Sequence, residues 1–494
     1  MIGWTPDARG LPREPLPYSV PLRCSRVTRR TAVEPGGGTG DHDHWRLIGN
    51  LLLKAYDTVT CCRPFVSASS RPWADVSACG QQLSEDDLPV LARSPRSADR
   101  VTAILDVASQ RLNARGVSEE WFGDIAADLG ITRPALYSHF DDRDELLFAC
   151  YMRTVEVLEA AFVEATAADG AVAVFNAFLT ATISEDFPEL AVVAEIDVLS
   201  QAKRDVVASH WAGLVDRIAK VAADGTRLGQ LRRADPTVMA QALLGFATWA
   251  PLQRRLLPDR PIAAVLAGAR EILFRGLGSD RTRKPLSLPD VVPEPAAAVN
   301  LFDRASVAAA KREKLLGVAS SLFNRRGVGA TRIEEIAEAI GLNKRAIFRQ
   351  FGSKDQLVTA CFERANAIYL RIAEEAAGGH DRRVDALHEA IRRVALSMGD
   401  SVAPSLTSHV GLGRLAQSTQ AKMRERFAAL EKSYRDILQE GIDDGSIRNV
   451  SVSDVVAALA GALNWVANAE LSDAISLDRI AMELADLVIS GIEV

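Results

Sequence analysis

From about residue 96 onward, Ala, Leu, Val and Ile recur at three- and four-residue spacing, with Glu, Asp, Lys and Arg between them. That period belongs to amphipathic helices and not to strands, so the ordered part of the chain is predicted to be nearly all α-helical. One arrangement occurs twice. Residues 105–150 and 316–361 align at a constant offset of 211, the core reading DIAADLGITRPALYSHFDDRDEL and then EIAEAIGLNKRAIFRQFGSKDQL. A repeat of this kind decides the architecture before any single element does.

A second correspondence closes each copy. Gly225, Gly229, Leu231, Arg232, Gly245 and Trp249 match Gly441, Gly445, Ile447, Arg448, Gly461 and Trp465 at an offset of 216. A whole unit is therefore duplicated, with a net insertion of five residues in the second copy. Residues 1–95 mix Pro, Gly, Arg and Ser without a sustained period and read as a disordered extension, with one short helix expected from Trp45 to Tyr56. Pro285, Pro289, Pro293 and Pro295 mark a stiff linker over 279–299. The units then span 96–278 and 300–494, with DNA-binding segments at about 96–146 and about 305–357.

Each core fits a helix-turn-helix, which needs a small residue at the crossing, a turn residue tolerant of positive φ, and apolar inner faces. In the first copy these are Ala126, Gly130, and the set Phe122, Ile125, Leu129, Ile131, Leu136 and Phe140. In the second they are Ala337, Gly341, and Ile333, Ile336, Ile340, Leu342, Ile347 and Phe351. An ordinary helical hairpin satisfies the same pattern. Capping separates the two readings: Thr331 with Glu334, Ser353 with Gln356, and Asp142 with Glu145 are spaced as capping boxes. Glu120 replaces the first of these in the first copy.

Leu136-Tyr137-Ser138-His139-Phe140 and Gly352-Ser353-Lys354-Asp355-Gln356-Leu357 resemble the signature of the tetracycline-repressor (TetR) family of bacterial transcription regulators. The specific part of the resemblance covers the first fifty residues of each unit. It implies an all-α fold of two TetR-like units, each a three-helix DNA-binding domain followed by a helical C-terminal domain that often holds a small-molecule pocket. It also implies dimerisation through the last two helices and a palindromic operator. A tandem chain changes this last point, because two fused units can pair as an intramolecular pseudo-dimer and read unlike half-sites; further homodimerisation stays open.

Early side chains of a recognition helix face base edges, and later ones approach phosphate. The candidates are Thr132, Arg133, Pro134, Tyr137 and His139 in the first copy. In the second they are Asn343, Lys344, Arg345, Phe348, Arg349 and Gln350, with Thr331 and Lys354 as phosphate contacts. Residues 120–143 set Arg133 and Arg143 against Glu120, Asp124, Asp128, Asp141 and Asp142; residues 331–354 carry Arg332, Lys344, Arg345, Arg349 and Lys354 against three Glu. The second motif is therefore expected to dominate binding to double-stranded DNA. A solvated charged face is the plain alternative.

A net charge of −6 confines any DNA-binding face to a local patch. No apolar run has the length of a membrane span, and the N-terminus lacks a signal-peptide pattern, so the expected location is the cytoplasm. Cys150 and Cys361 hold equivalent positions and read as buried small apolar side chains. Asp41-His42-Asp43-His44 reads as a solvated tail and not a metal site, and neither Gly36–Gly40 nor Gly411-Leu412-Gly413 has the context of a phosphate loop. No catalytic arrangement appears, and no cofactor, metal or enzymatic activity is expected. Trp211, Trp249 and Trp465 read as core or interface packing, or else as a pocket wall. The sum is a ligand-responsive repressor with an effector of unspecified identity. The rival is a ligand-sensing or interaction protein whose motifs have lost DNA binding.

Overall fold

A computed structural model describes residues 95–494 except 119, 257–259, 281–301, 401–403, 408–412, 414 and 472–474. The expected extension, the Trp45–Tyr56 helix, Asp41–His44 and all but the first two residues of the linker lie outside these. Sixteen α-helices form among the described residues. The first eight are α1 (Pro95–Arg115), α2 (Trp121–Asp128), α3 (Arg133–Tyr137), α4 (Arg143–Ala165), α5 (Ala171–Thr182), α6 (Gln201–Arg227), α7 (Pro236–Leu256) and α8 (Ile262–Arg270). The second eight repeat the order: α9 (Arg304–Ala330), α10 (Ile333–Ala339), α11 (Lys344–Phe351), α12 (Lys354–Gly379), α13 (Arg383–Gly399), α14 (Gln417–Asp443), α15 (Val452–Leu463) and α16 (Leu477–Ser490). Strands are absent among the described residues, apart from two isolated bridges.

Side-chain chemistry fixes the helix starts as read from the sequence, with one exception. Asp142 Oδ1 accepts the Glu145 N–H (2.8 Å) and Ser353 Oγ the Gln356 N–H (3.2 Å). The expected Thr331–Glu334 box is instead shifted by one residue: Arg332 is the N-cap of α10, and Glu335 accepts its N–H at 2.8 Å. Thr331 is drawn inward because its hydroxyl donates to the Gly327 carbonyl (2.7 Å) at the end of α9.

Within each head the apolar set packs as expected from its period, except at Leu342, which is 45% exposed. It follows the turn glycine Gly341 (φ 68°), whereas its equivalent Ile131 is partly buried against the core. Gly130 (φ 63°) makes the same left-handed turn in the first head, and at neither glycine would a Cβ meet any neighbour. Conformation and not space requires glycine there. Cys150 and Cys361 are fully buried, and burial pushes both thiols up to about 12, which leaves them unreactive near neutral pH.

The repeats meet along α7 and α8 of the first and α15 and α16 of the second. Contacts across this seam are reciprocal. Arg232 Nε donates to the Gly491 carbonyl (2.8 Å), and Arg448 Nε to the Gly276 carbonyl (2.9 Å). The Arg232 N–H donates to Ile492 and the Arg448 N–H to Leu277, both at 2.8 Å. Leu277 donates to Val488 (3.0 Å) while Ile492 donates to Leu273 (2.8 Å). Residue i touches j, and the repeat equivalent of j touches that of i, which is the pattern of a two-fold interface. Equivalent glycines lie face to face: a Cβ on Gly245 would overlap the Gly461 carbonyl, and one on Gly276 the Gly491 backbone.

Candidate nucleic-acid interface

Each head displays a short helix, α3 or α11, after a glycine turn. In the first, Thr132 Oγ1 caps α3 by accepting the Ala135 N–H (3.3 Å), and Pro134 sits in the first turn, where its missing donor costs nothing. Tyr137 is half exposed and stacks on Phe122 with centroids 4.8 Å apart. Arg133 is exposed, but its guanidinium lies across Gly123 of α2. Arg143 donates to the Ser118 carbonyl (3.1 Å), and His139 is partly buried.

In the second head, Asn343 Oδ1 caps α11 through the Ala346 N–H (2.9 Å), leaving its amide nitrogen directed away from that bond. Lys344 pairs with Glu334 (2.6 Å) and lies over the Phe348 ring at 5.5 Å. That Lys344 bond is the main cause that holds the Glu334 carboxyl below its usual range. Arg345, Arg349 and Gln350 are exposed, and neither arginine has a carboxylate partner among the described residues. Lys354 Nζ donates to the Gly329 carbonyl (3.4 Å). Thr331 is fully buried, with its hydroxyl turned into the head.

In each head an arginine of the preceding long helix pairs with the motif's acidic residues, which leaves the charge contrast between the heads as it was; in the second, Arg326 of α9 pairs with Glu335 at 3.0 Å. Asp124 and Asp128 of the first motif are paired with Arg111 of α1. The Arg111 hydrogen bond holds the Asp128 carboxyl below its ordinary value and raises the guanidinium in turn. Arg111 and Arg326 both lie outside the motifs they neutralise. What separates the heads is the freedom of their cations: Arg133 and Arg143 lie on their own head, whereas Arg345 and Arg349 project into solvent.

Both heads are held to their bodies by the same device. Asn113, near the end of α1, donates to the Leu190 carbonyl (2.8 Å) and accepts the Val192 N–H (3.0 Å). Asn324, 211 residues on, donates to the Ser405 carbonyl (2.8 Å) and accepts the Thr407 N–H (3.2 Å). Val192 also lines three small cavities, of about 40, 20 and 10 Å³. The largest sits at the seam, walled by Trp211, Gln241 and Trp249 of the first repeat and Asn464 and Trp465 of the second. Symmetry fails there. Trp249 Nε1 donates to the Ala457 carbonyl (3.3 Å), while Trp465 Nε1 and Asn464 Nδ2 are buried without a partner.

A short exposed helix behind a glycine turn, mounted by an asparagine clamp on a helical body, defines a helix-turn-helix regulator. The family model for bacterial regulatory proteins of the tetR family matches residues 104–150 and again 315–361, and a tetracyclin repressor-like C-terminal domain matches 380–492. An HTH-type transcriptional regulator of Mycobacterium bovis is 30% identical over 176 residues, 32% of this chain and 90% of that protein. The HTH-type transcriptional repressor KstR2 of Mycolicibacterium smegmatis is 24% identical over 214 residues, 38% of this chain and 94% of the repressor. The crystal structure of the TetR family regulator PfmR from Thermus thermophilus, 24% identical, covers 36% of this chain and 98% of its own, with a TM-score of 0.32. The chain belongs to the TetR family, with the family's N-terminal module present twice. Among the described residues, no helix is long and apolar enough to cross a membrane.

Proposed function

We propose that this chain is a sequence-specific, ligand-responsive transcriptional repressor whose two units act as an intramolecular pseudo-dimer on one operator. The reciprocal seam carries this reading: repeat-equivalent residues satisfy one another's backbone groups there, as the subunits of a two-fold dimer do. Two heads on a two-fold body suit successive major grooves, and because the heads differ in sequence the half-sites differ too. The domains follow the sequence boundaries, with Arg345 and Arg349, supported by Asn343, Lys344, Phe348, Gln350 and Lys354, as the principal DNA contacts. Thr132, Arg133, Pro134, Tyr137 and His139 read the second half-site more weakly. Thr331 acts by holding the end of α9, since its hydroxyl is already committed. Repression is supported by the name of the M. smegmatis relative.

The effector site in this reading is the seam cavity. At about 40 Å³ it holds only a few waters, so a larger ligand must push its walls apart. Val192 is one of those walls and is bonded to Asn113 of α1, so its displacement shifts the first head. Trp465 Nε1 and Asn464 Nδ2 offer two donors, which suits an apolar ligand with an acceptor oxygen. Selection of random double-stranded DNA by the full chain tests the reading. The expected outcome is one enriched site with two unlike halves centred roughly 10 bp or a multiple apart; a palindrome, or no enrichment at low salt, contradicts it.

A further inference from the structure

Among the described residues Glu195 is the only non-glycine with positive φ (51°), and it is 5% exposed. A charged side chain held in a backbone region that favours glycine, inside the protein, is there for its carboxylate. That carboxylate accepts the Val117 N–H of the first head at 2.8 Å. It also covers two glycines: a Cβ on Gly116 or on Gly327 would overlap its oxygens. Gly116 ends α1 and Gly327 breaks α9, and they are repeat equivalents, 211 residues apart. One carboxylate touching equivalent points on both heads lies near the local two-fold axis between them. Two residues on, Asp197 pairs with Arg325 of α9 at 2.8 Å, and the short turn Ile196–Val198 packs on α9. A loop of the first body is thus anchored to both heads.

The asparagine clamps give the register of the matching loop in the second body, since 190 and 192 correspond to 405 and 407. Position 195 then corresponds to Val410, which has no carboxylate. A symmetric homodimer would bring two such carboxylates to one axis, where their like charges repel. A tandem chain provides one.

We propose that Glu195 is a positioning residue that ties the two helix-turn-helix heads at one separation and thereby sets the half-site spacing the chain accepts. The first part stands on the geometry alone, whereas the second rests on the DNA-binding reading. The experiment has an arm for each. Nitroxide labels at Ala127→Cys and Glu338→Cys, equivalent exposed positions on α2 and α10, report the distance between heads without DNA. Cys24, Cys61, Cys62 and Cys79 are changed to Ser for this purpose, and the buried Cys150 and Cys361 stay unlabelled.

A single narrow distance distribution is expected with Glu195, broadening at least two-fold in Glu195→Ala and by less in Glu195→Gln, which keeps an acceptor for Val117. Circular dichroism checks that both variants fold, and Glu195→Gln decides the matter if Glu195→Ala does not. Unchanged distributions overturn the tie. On the selected operator, inserting one base pair between half-sites is expected to weaken the parent chain by roughly ten-fold and Glu195→Ala by less than about three-fold. An undiminished penalty in Glu195→Ala overturns the spacing claim. Failure of the parent chain to bind any DNA defeats the proposed function, while the distances still decide the tie.

Discussion

Replacing Arg345 and Arg349 together by Ala is expected to weaken operator binding by at least about 30-fold at moderate salt, with the helical fold unchanged. Both side chains are exposed on α11 and have no carboxylate partner among the described residues, so removing them leaves none of those unpaired. Each guanidinium placed against a base edge or phosphate is worth about 1–3 kcal/mol, and two such losses give the stated factor. Neutralising two phosphates fewer should also flatten the salt dependence by about 1.8 in the slope of log K against log salt. Arg133→Ala with His139→Ala should cost less than about ten-fold, because Arg133 must first leave Gly123 and His139 is partly buried. Gel-shift titrations of both double variants at several salt concentrations check this ranking, and the reverse order contradicts the assignment of the second head as the main grip.

Gly268→Leu is expected to be strongly destabilising at the seam, with Gly245→Val close behind. A Cβ at 268 would overlap the Asp454 carbonyl of α15, and one at 245 the Gly461 carbonyl. In both cases the obstacle is backbone, which cannot rotate aside as a side-chain tip can. Overpacking usually costs about 1–3 kcal/mol, and prying α8 from α15 falls at the upper end. The Tm should drop by roughly 3 °C, and unfolding should divide into two transitions as the repeats lose their common core. Gly229→Ala serves as a comparison: it strains a positive φ (72°) but meets no neighbour, so its smaller loss separates conformational cost from the cost of opening the seam. Calorimetry showing equal effects at 268 and 229 would remove the seam from the account.

The heads were legible because everything that defines them is local: periodicity, the glycine turns, the caps and the family signature all fall within fifty residues. Even there, the position of one cap depended on tertiary structure, since Thr331 bonds back to Gly327 and passes the start of α10 to Arg332. The matched residues near 230 and 446 were visible, but their role was not. Arg232 and Arg448 stand out only as a conspicuous pair until the chain folds so that each reaches a glycine carbonyl of the other repeat. The partners of the motif acids were hidden for a similar reason, because Arg111 and Arg326 come from the neighbouring helices α1 and α9. Glu195 carried no signal at all: a glutamate in a connecting loop acquires its meaning from Gly116 and Gly327, which are 79 residues before it and 132 after it.

The most direct measurement is the stoichiometry of the complex between the full chain and its selected operator, by native mass spectrometry or sedimentation. One chain per operator, protecting two unlike half-sites, is the expected result. Two chains on one operator, each using a single head, would contradict it.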